Sequence, residues 1–338
     1  MPYRRVQITR FGGPEVLELV EETTLPEPGP GEVRVRVLAA GVAFTDTLVR
    51  EGSYPDVKDE PPFTPGYDMV GVVDALGDGV DGVVLGQKVA DLTVIGAYSE
   101  YLCCAADRLV PVPDALDAAD ATALILSYVT AYQLLHRVAE VEAGQRVLVH
   151  GAGGAVGTAA LQLGRLAGVE LIGTASAGKR AHVEALGAAV IDYRSEDFVE
   201  RVAQLAPDGV DVVLDGVGPQ NARRSVRALR PGGRLVLFGA SGGDMGSLGG
   251  KLRLAANSIG LLVRSVFTRR KLAFYSIASL RSKQPDWFRE DLTALFDLAA
   301  RGELTPAIGR RLGLDEIVEA HELIDAFAVE GKIVVTMA

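Results

Sequence analysis

Val33, Val35 and Val37 alternate with Arg34 and Arg36, the two-residue period of a strand that buries one face and wets the other. The run Pro26-Glu27-Pro28-Gly29-Pro30-Gly31 ahead of it is a turn-rich lead-in. Short apolar runs follow at residues 69–73, 83–85 and 98–102, with Gly and Asp between them. Several short strands joined by polar turns predict a compact, partly open β-barrel.

The pattern changes near residue 118. Residues 118–135 are rich in Ala and Leu and predict a helix. Strand–helix alternation follows, with apolar runs at residues 147–150, 171–174, 190–192, 210–214 and 235–238. Runs of Val, Ile and Leu without polar alternation mark strands buried on both faces of a parallel sheet. Val156, Ala160, Leu163 and Ala167 share one face of the first intervening helix. The expected fold class is α/β, with a doubly wound parallel sheet of the Rossmann type. Beyond it lie a glycine-rich loop from Ser241 to Gly250 and apolar runs at 259–263 and from Phe274 to Ile277. An amphipathic helix at 287–299, a second helix near 314–327 and a closing strand at 333–336 complete the chain.

Composition narrows the class. The chain has 338 residues, enough for two domains, and 48% hydrophobic content with 39 glycines suits an ordered α/β enzyme. A formal net charge of −10 gives no general attraction for nucleic acid or anionic membranes, so any phosphate must be held by a local set of donors. No apolar run reaches the roughly 20 residues of a membrane helix. The first residues lack the apolar core of a signal peptide, and a cytoplasmic protein is expected. Cys103 and Cys104 are neighbours that point to opposite faces of a strand, so reduced thiols are expected.

The chemistry concentrates in Val147-Leu148-Val149-His150-Gly151-Ala152-Gly153-Gly154-Ala155-Val156-Gly157. These glycines follow a buried strand and open an apolar-faced helix, the setting a dinucleotide fingerprint requires. Gly151 and Gly153 shape the turn, Gly154 lets backbone approach a pyrophosphate, and Gly157 lets the helix pack close to the strand. The first helical turn, with Ala155 and Val156, offers N–H groups and a partial positive charge to phosphates. At the end of the second strand an NAD site usually carries an acidic residue for the ribose hydroxyl. Here the sequence reads Gly173-Thr174-Ala175-Ser176-Ala177-Gly178-Lys179-Arg180. Ser176 and Lys179 suit a 2′-phosphate, which a carboxylate would repel, and Tyr193 after the third strand adds a phenol. NADPH is the expected cofactor.

Several motifs in order and spacing then carry a resemblance. They are Gly41-Val42-Ala43-Phe44-Thr45-Asp46, Gly52-Ser53-Tyr54-Pro55, Pro65-Gly66-Tyr67-Asp68, Thr130-Ala131-Tyr132, Ile191-Asp192-Tyr193, Leu229-Arg230-Pro231-Gly232-Gly233 and Phe238-Gly239-Ala240-Ser241. The chain resembles the zinc-free quinone oxidoreductase branch of the medium-chain dehydrogenase/reductase superfamily, nearly end to end. The resemblance implies a GroES-like catalytic domain at 1–124, an inserted NADPH-binding Rossmann domain at 125–280 and a return to the catalytic domain at 281–338, with nicotinamide in the cleft. It adds Thr130, Gly239, Ala240 and Ser241 to the cofactor set. It also implies a homodimer through the last strand of the dinucleotide sheet, expected from Phe274 to Ile277. The glycine-rich loop at 241–250 is a candidate lid. Zinc-dependent relatives use a Cys after the first barrel strands and a His-Glu pair after the Pro-Gly; here Ala43 and Tyr67-Asp68 stand there. His136, His150, His182 and His321 are scattered, so no metal is expected.

Without a Lewis acid, hydride transfer to an electron-poor acceptor is easier than alcohol oxidation. The expected activity is reduction of a quinone or an α,β-unsaturated carbonyl, with an enoyl-thioester reductase or a non-catalytic NADPH-binding relative as alternatives. By resemblance Tyr54 lies at the acceptor and hydrogen-bonds its developing oxygen, Thr130 lies beside the nicotinamide amide, and Asp46 is a catalytic-loop residue that fixes the loop. Ala43, Phe44 and Tyr54 are the expected substrate pocket. Ala43 departs from the Asn common there, which leaves the pocket more apolar.

Overall fold

The computed structural model describes residues 1–239 and 270–337. Ala240, Ser241, the loop at 241–250 and the run at 259–263 lie outside the described residues. The strands in chain order are β1 (Tyr3–Ile8), β2 (Leu17–Glu22), β3 (Glu32–Val42), β4 (Met69–Leu76), β5 (Lys88–Asp91), β6 (Tyr101–Ala105), β7 (Val110–Pro111), β8 (Arg146–His150), β9 (Glu170–Ala175), β10 (Ala189–Asp192), β11 (Val210–Asp215), β12 (Leu229–Leu237), β13 (Lys271–Phe274), β14 (Ile308–Gly313) and β15 (Lys332–Thr336). The chain divides into two compact units, Met1–Val129 with Asp286–Ala338, and Thr130–Pro285. No described helix is long and apolar enough to cross a membrane.

In the first unit β1 and β2 form a hairpin, and a seven-stranded sheet runs in the order β14-β15-β3-β4-β5-β7, with β6 also paired to β3. Val33, Val35 and Val37 are buried and Arg36 is exposed, as the alternation requires. The last strand, β15, lies between β14 and β3, so the end of the chain is an interior strand of the sheet that its beginning starts. One expected strand is absent: residues 83–85 are irregular and lead into a turn closed by Gln87 N–H donating to Val84 O at 3.1 Å. Gly82 and Gly86 both sit near φ +80, and Val84 and Leu85 are exposed. Two left-handed glycines turn the chain there, and an apolar run of three is too short to override them.

Among the described residues the second unit holds a six-stranded sheet in the order β10-β9-β8-β11-β12-β13, every pair parallel. This is the doubly wound order with its switch point between β8 and β11. The edge strand departs from the expectation: it is Lys271–Phe274, and Ile277 opens the helix Ile277–Lys283. The Ser276 side chain accepts from Ser279 N–H at 3.3 Å, a cap that ends the strand and starts the helix. Strand β12 begins at Leu229, earlier than the apolar run at 235–238, because Val210 pairs with Leu229 before a register shift lets Arg234 align with Val212. Cys103 and Cys104 are both free thiols.

Candidate functional site

The dinucleotide half builds from the turn after β8. Gly151 sits at φ +66, a left-handed conformation that glycine adopts without steric cost. Gly157 is fixed by close approach: a Cβ there would lie 2.2 Å from Gly151 O and 2.7 Å from Ala152 Cα. The helix Ala155–Leu166 is therefore pressed onto the turn, and its N-cap, Gly154, provides no side-chain cap. An uncapped first turn, holding Ala155, Val156 and Gly157, is a donor set for an anion.

Behind the turn lies a buried hydrogen-bond chain. His150 Nδ1 meets Thr174 Oγ1 at 3.1 Å and His150 Nε2 meets Ser225 Oγ at 3.0 Å. Ser225 Oγ donates to Asp215 Oδ2 at 2.8 Å, while Asp215 Oδ1 accepts from Val217 N–H at 2.9 Å. Burial holds the His150 imidazole below its usual pKa, so it stays neutral and serves as a bridge. The chain ties the ends of β8, β9 and β11 together beneath the glycine turn.

Ser176 and Lys179 follow the end of β9. Ser176 caps the short turn Ala177–Lys179, and Lys179 Nζ donates to Gly153 O at 3.4 Å. The Lys179 stem crosses Gly153 so closely that a Cβ there would be 2.8 Å from Lys179 Cδ. Tyr193 follows β10, donates its backbone N–H to Ala175 O at 3.3 Å and leaves its ring exposed. Ser176, Lys179, Tyr193 and the glycine turn thus share the C-terminal edge of the parallel sheet. Gly239 follows β12 on the same edge, where a Cβ would lie 3.0 Å from Gly216 O. Thr130 is buried at the start of this unit, in the helical segment Val129–Tyr132. These residues fit a phosphorylated dinucleotide: a glycine cradle, a helix start, and a hydroxyl and a cation with no carboxylate at the end of β9.

A second cluster of candidate residues lies within the first unit. Ala43 caps the helix Phe44–Arg50, and its N–H donates to Asp46 Oδ2 at 2.9 Å. Asp46 is fully buried, and its second oxygen has no hydrogen-bond partner among the described residues. Burial raises its pKa to about 7, against a lowering by Lys332 and with a further rise from Asp68. Lys332 and Asp68 form a buried ion pair at 3.2 Å, and Asp68 Oδ1 accepts Gly41 N–H at 2.8 Å. The glycine of the Gly41–Asp46 motif is required here, since a Cβ would lie 2.1 Å from that Asp68 oxygen.

Tyr54 follows the same helix and is half-buried; its hydroxyl meets that of Tyr67 at 2.5 Å. Phe44 stacks on Phe327 with centroids 5.8 Å apart. Arg50 and Thr47 bind Asp325 at 2.8 Å each, and Arg50 also donates to His321 Nδ1 at 3.1 Å, so the helix Ile317–Asp325 is clamped to the helix bearing Asp46. Burial and the neighbouring Arg50 push the His321 pKa down to about 3. Ala43, Phe44 and Asp46 lie at the start of the helix Phe44–Arg50, and Tyr54, beyond its end, is near enough to Asp46 for that carboxyl to act on its hydroxyl. Sequence reasoning missed Lys332, Arg50, His321 and Phe327. A lysine opening the apolar run Ile333-Val334-Val335 was the one available signal, because a charge entering a buried strand calls for a counter-charge.

Among the described residues no group of three or more His, Cys, Asp and Glu is arranged to hold a metal ion. A parallel sheet in the order 3-2-1-4-5-6 with a glycine turn after its first strand, in one chain with a β unit made from its first and last segments, is the architecture of two-domain dinucleotide-dependent oxidoreductases. An alcohol dehydrogenase GroES-like domain model matches residues 29–114, and a zinc-binding dehydrogenase model matches residues 186–335. Rat quinone oxidoreductase is 31% identical across 99% of this chain and 98% of its own length. A zebrafish synaptic vesicle membrane protein VAT-1 homolog is 32% identical across 99% of this chain and 70% of its own. The structure of Escherichia coli quinone oxidoreductase complexed with NADPH superposes with a TM-score of 0.89 at 30% identity, covering 98% of this chain and 99% of that one. The chain belongs to the quinone oxidoreductase branch of the medium-chain dehydrogenase/reductase superfamily.

Proposed function

We propose that this protein is an NADPH-dependent, zinc-independent reductase that delivers hydride to a quinone or an α,β-unsaturated carbonyl. The observation that carries the cofactor choice is the pair Ser176 and Lys179 at the end of β9, with Lys179 already over the glycine turn. A carboxylate at that place would select the unphosphorylated ribose; a hydroxyl and an ammonium select the phosphate. When bound, the nicotinamide supplies the hydride. The chain's own residues do the rest. The turn from Gly151 to Gly157 binds the pyrophosphate, and Thr130 holds the carboxamide. Ala43 and Phe44 keep the acceptor site apolar, and the Tyr54 hydroxyl hydrogen-bonds the oxygen on which charge develops. Zinc independence is supported by side-chain chemistry: Asp68 is committed to Lys332 and Gly41, and Tyr67 is a phenol. Exposure of Phe274 on the edge strand β13 supports a homodimer formed there, and the acidic composition supports the absence of nucleic-acid partners.

Steady-state oxidation of NADPH and NADH with a benzoquinone, an alkenal and crotonyl-CoA tests this. Turnover with the quinone or the alkenal, faster with NADPH, is expected. Lys179→Ala is expected to weaken NADPH binding about tenfold, the size of one charge-assisted hydrogen bond, and to leave NADH unaffected. Turnover confined to crotonyl-CoA would make the protein an enoyl-thioester reductase. NADPH binding without turnover on any acceptor would make it a binding protein.

A further inference from the structure

We propose that Tyr67 is the positioning residue for Tyr54: it donates its hydroxyl proton to Tyr54 and so holds the Tyr54 proton ready for the acceptor oxygen. The proposal rests on the role given to Tyr54 above.

The two hydroxyls lie 2.5 Å apart, and the rings meet edge to face at 90° with centroids 5.6 Å apart. Distance alone leaves the donor open; burial decides it. Tyr67 is 0% exposed, and Tyr54 is its hydroxyl's one hydrogen-bond partner among the described residues. If Tyr67 accepted, its own proton would be buried without an acceptor, which costs about 1–3 kcal/mol. Tyr54 is half-buried, so its proton has other places to go. Tyr67 therefore donates and Tyr54 accepts.

The backbone fixes this arrangement. Gly66, at φ +110, packs so tightly that a Cβ would lie 2.5 Å from Tyr98 N. Tyr67 O accepts Val94 N–H at 3.0 Å, and Tyr54 N–H donates to Leu48 O at 3.1 Å. Neither ring is on a free loop.

Charge points the same way. Burial, the neighbouring Tyr54 and the carboxyls of Asp56 and Asp46 raise the Tyr67 pKa far above its usual value. Burial also raises that of Tyr54, and the Tyr67 hydrogen bond offsets part of that rise. A hydrogen bond donated by Tyr67 favours the phenolate form of Tyr54.

The step then balances. Hydride from the reduced nicotinamide bonds to the β-carbon of the enone, and the π electrons move to the carbonyl oxygen. The Tyr54 O–H bond breaks, its proton goes to that oxygen, and the Tyr54 phenolate is stabilised by the Tyr67 O–H until solvent returns a proton.

A double-substitution cycle with an alkenal tests it. Tyr67→Phe is expected to lower kcat about tenfold in the parent, with KM nearly unchanged, and about twofold or less in a Tyr54→Phe background. The alkaline limb of the pH–rate profile is expected to move to higher pH in Tyr67→Phe, since Tyr54 must be protonated to act and loses the partner that lowers its pKa. Equal losses in both backgrounds, or an unmoved limb, would overturn the proposal. A second readout needs neither variant activity nor cofactor. In the parent protein carrying carbon-labelled tyrosine, the Tyr54 Cζ resonance should titrate at lower pH than that of Tyr67, and the reverse order would overturn it. A parent protein inactive on every quinone and enone would instead refute the proposed function.

Discussion

Asp46 caps its own helix from a place without solvent. Its folded pKa of about 7 stands above the ordinary value of 3.8, so between those values the native state holds a proton the unfolded chain releases. Stability contributed by this group is full below the lower value and is lost as pH rises through the upper one. Asp46→Asn keeps an oxygen for the Ala43 N–H and removes the titration. Its melting temperature relative to the parent is expected to rise between about pH 4 and about pH 7 and then level off. Thermal melts across that interval check this, and a difference constant with pH would contradict it. The position of Asp46 was legible from its motif. Its environment was not, because Lys332 and Asp68 come from distant parts of the chain and meet only in the folded sheet.

At the scale of elements, the glycine turn is the part most completely legible in sequence. Its requirements are local: a left-handed residue at Gly151 and no side chain at Gly157. Gly157→Ala is expected to push the helix Ala155–Leu166 off the turn, costing about 1–3 kcal/mol as an overpacked contact and weakening NADPH binding. Calorimetry and a fluorescence titration measure the two effects, and a variant with parental values for both would contradict the close packing. The less legible elements failed for stated reasons. The run from Phe274 to Ile277 looks like a strand, yet the Ser276 cap divides it; residues 83–85 look like a strand, yet two left-handed glycines bend them. Apolar content alone does not separate a strand from a turn or a helix start at that length.

Across the whole molecule, the buried pair Asp68–Lys332 stitches the first third of the chain to its last seven residues. Breaking one partner of such a pair leaves an uncompensated charge in the interior. Lys332→Met is expected to destabilise the protein by about 3–5 kcal/mol, and adding Asp68→Asn is expected to recover much of that loss. Denaturant unfolding of both variants measures it. A double variant no more stable than Lys332→Met would show that the lysine acts through packing and not through charge. The pairing of β15 between β3 and β14 was only partly legible: the closing strand was visible, but its interior position in a sheet begun three hundred residues earlier was not.

That interior position sets an order for the birth of the protein. As the chain leaves the ribosome from its N-terminus, the parallel sheet β8–β13 has all its strands before β14 and β15 exist. The first unit must wait with a slot open beside β3, its Asp68 carboxylate lacking a counter-ion, until Lys332 emerges after every strand of the parallel sheet. Translation that stops early therefore leaves a finished nucleotide fold attached to an unclosed sheet with a bare strand edge, the kind of surface chaperones and proteases recognise.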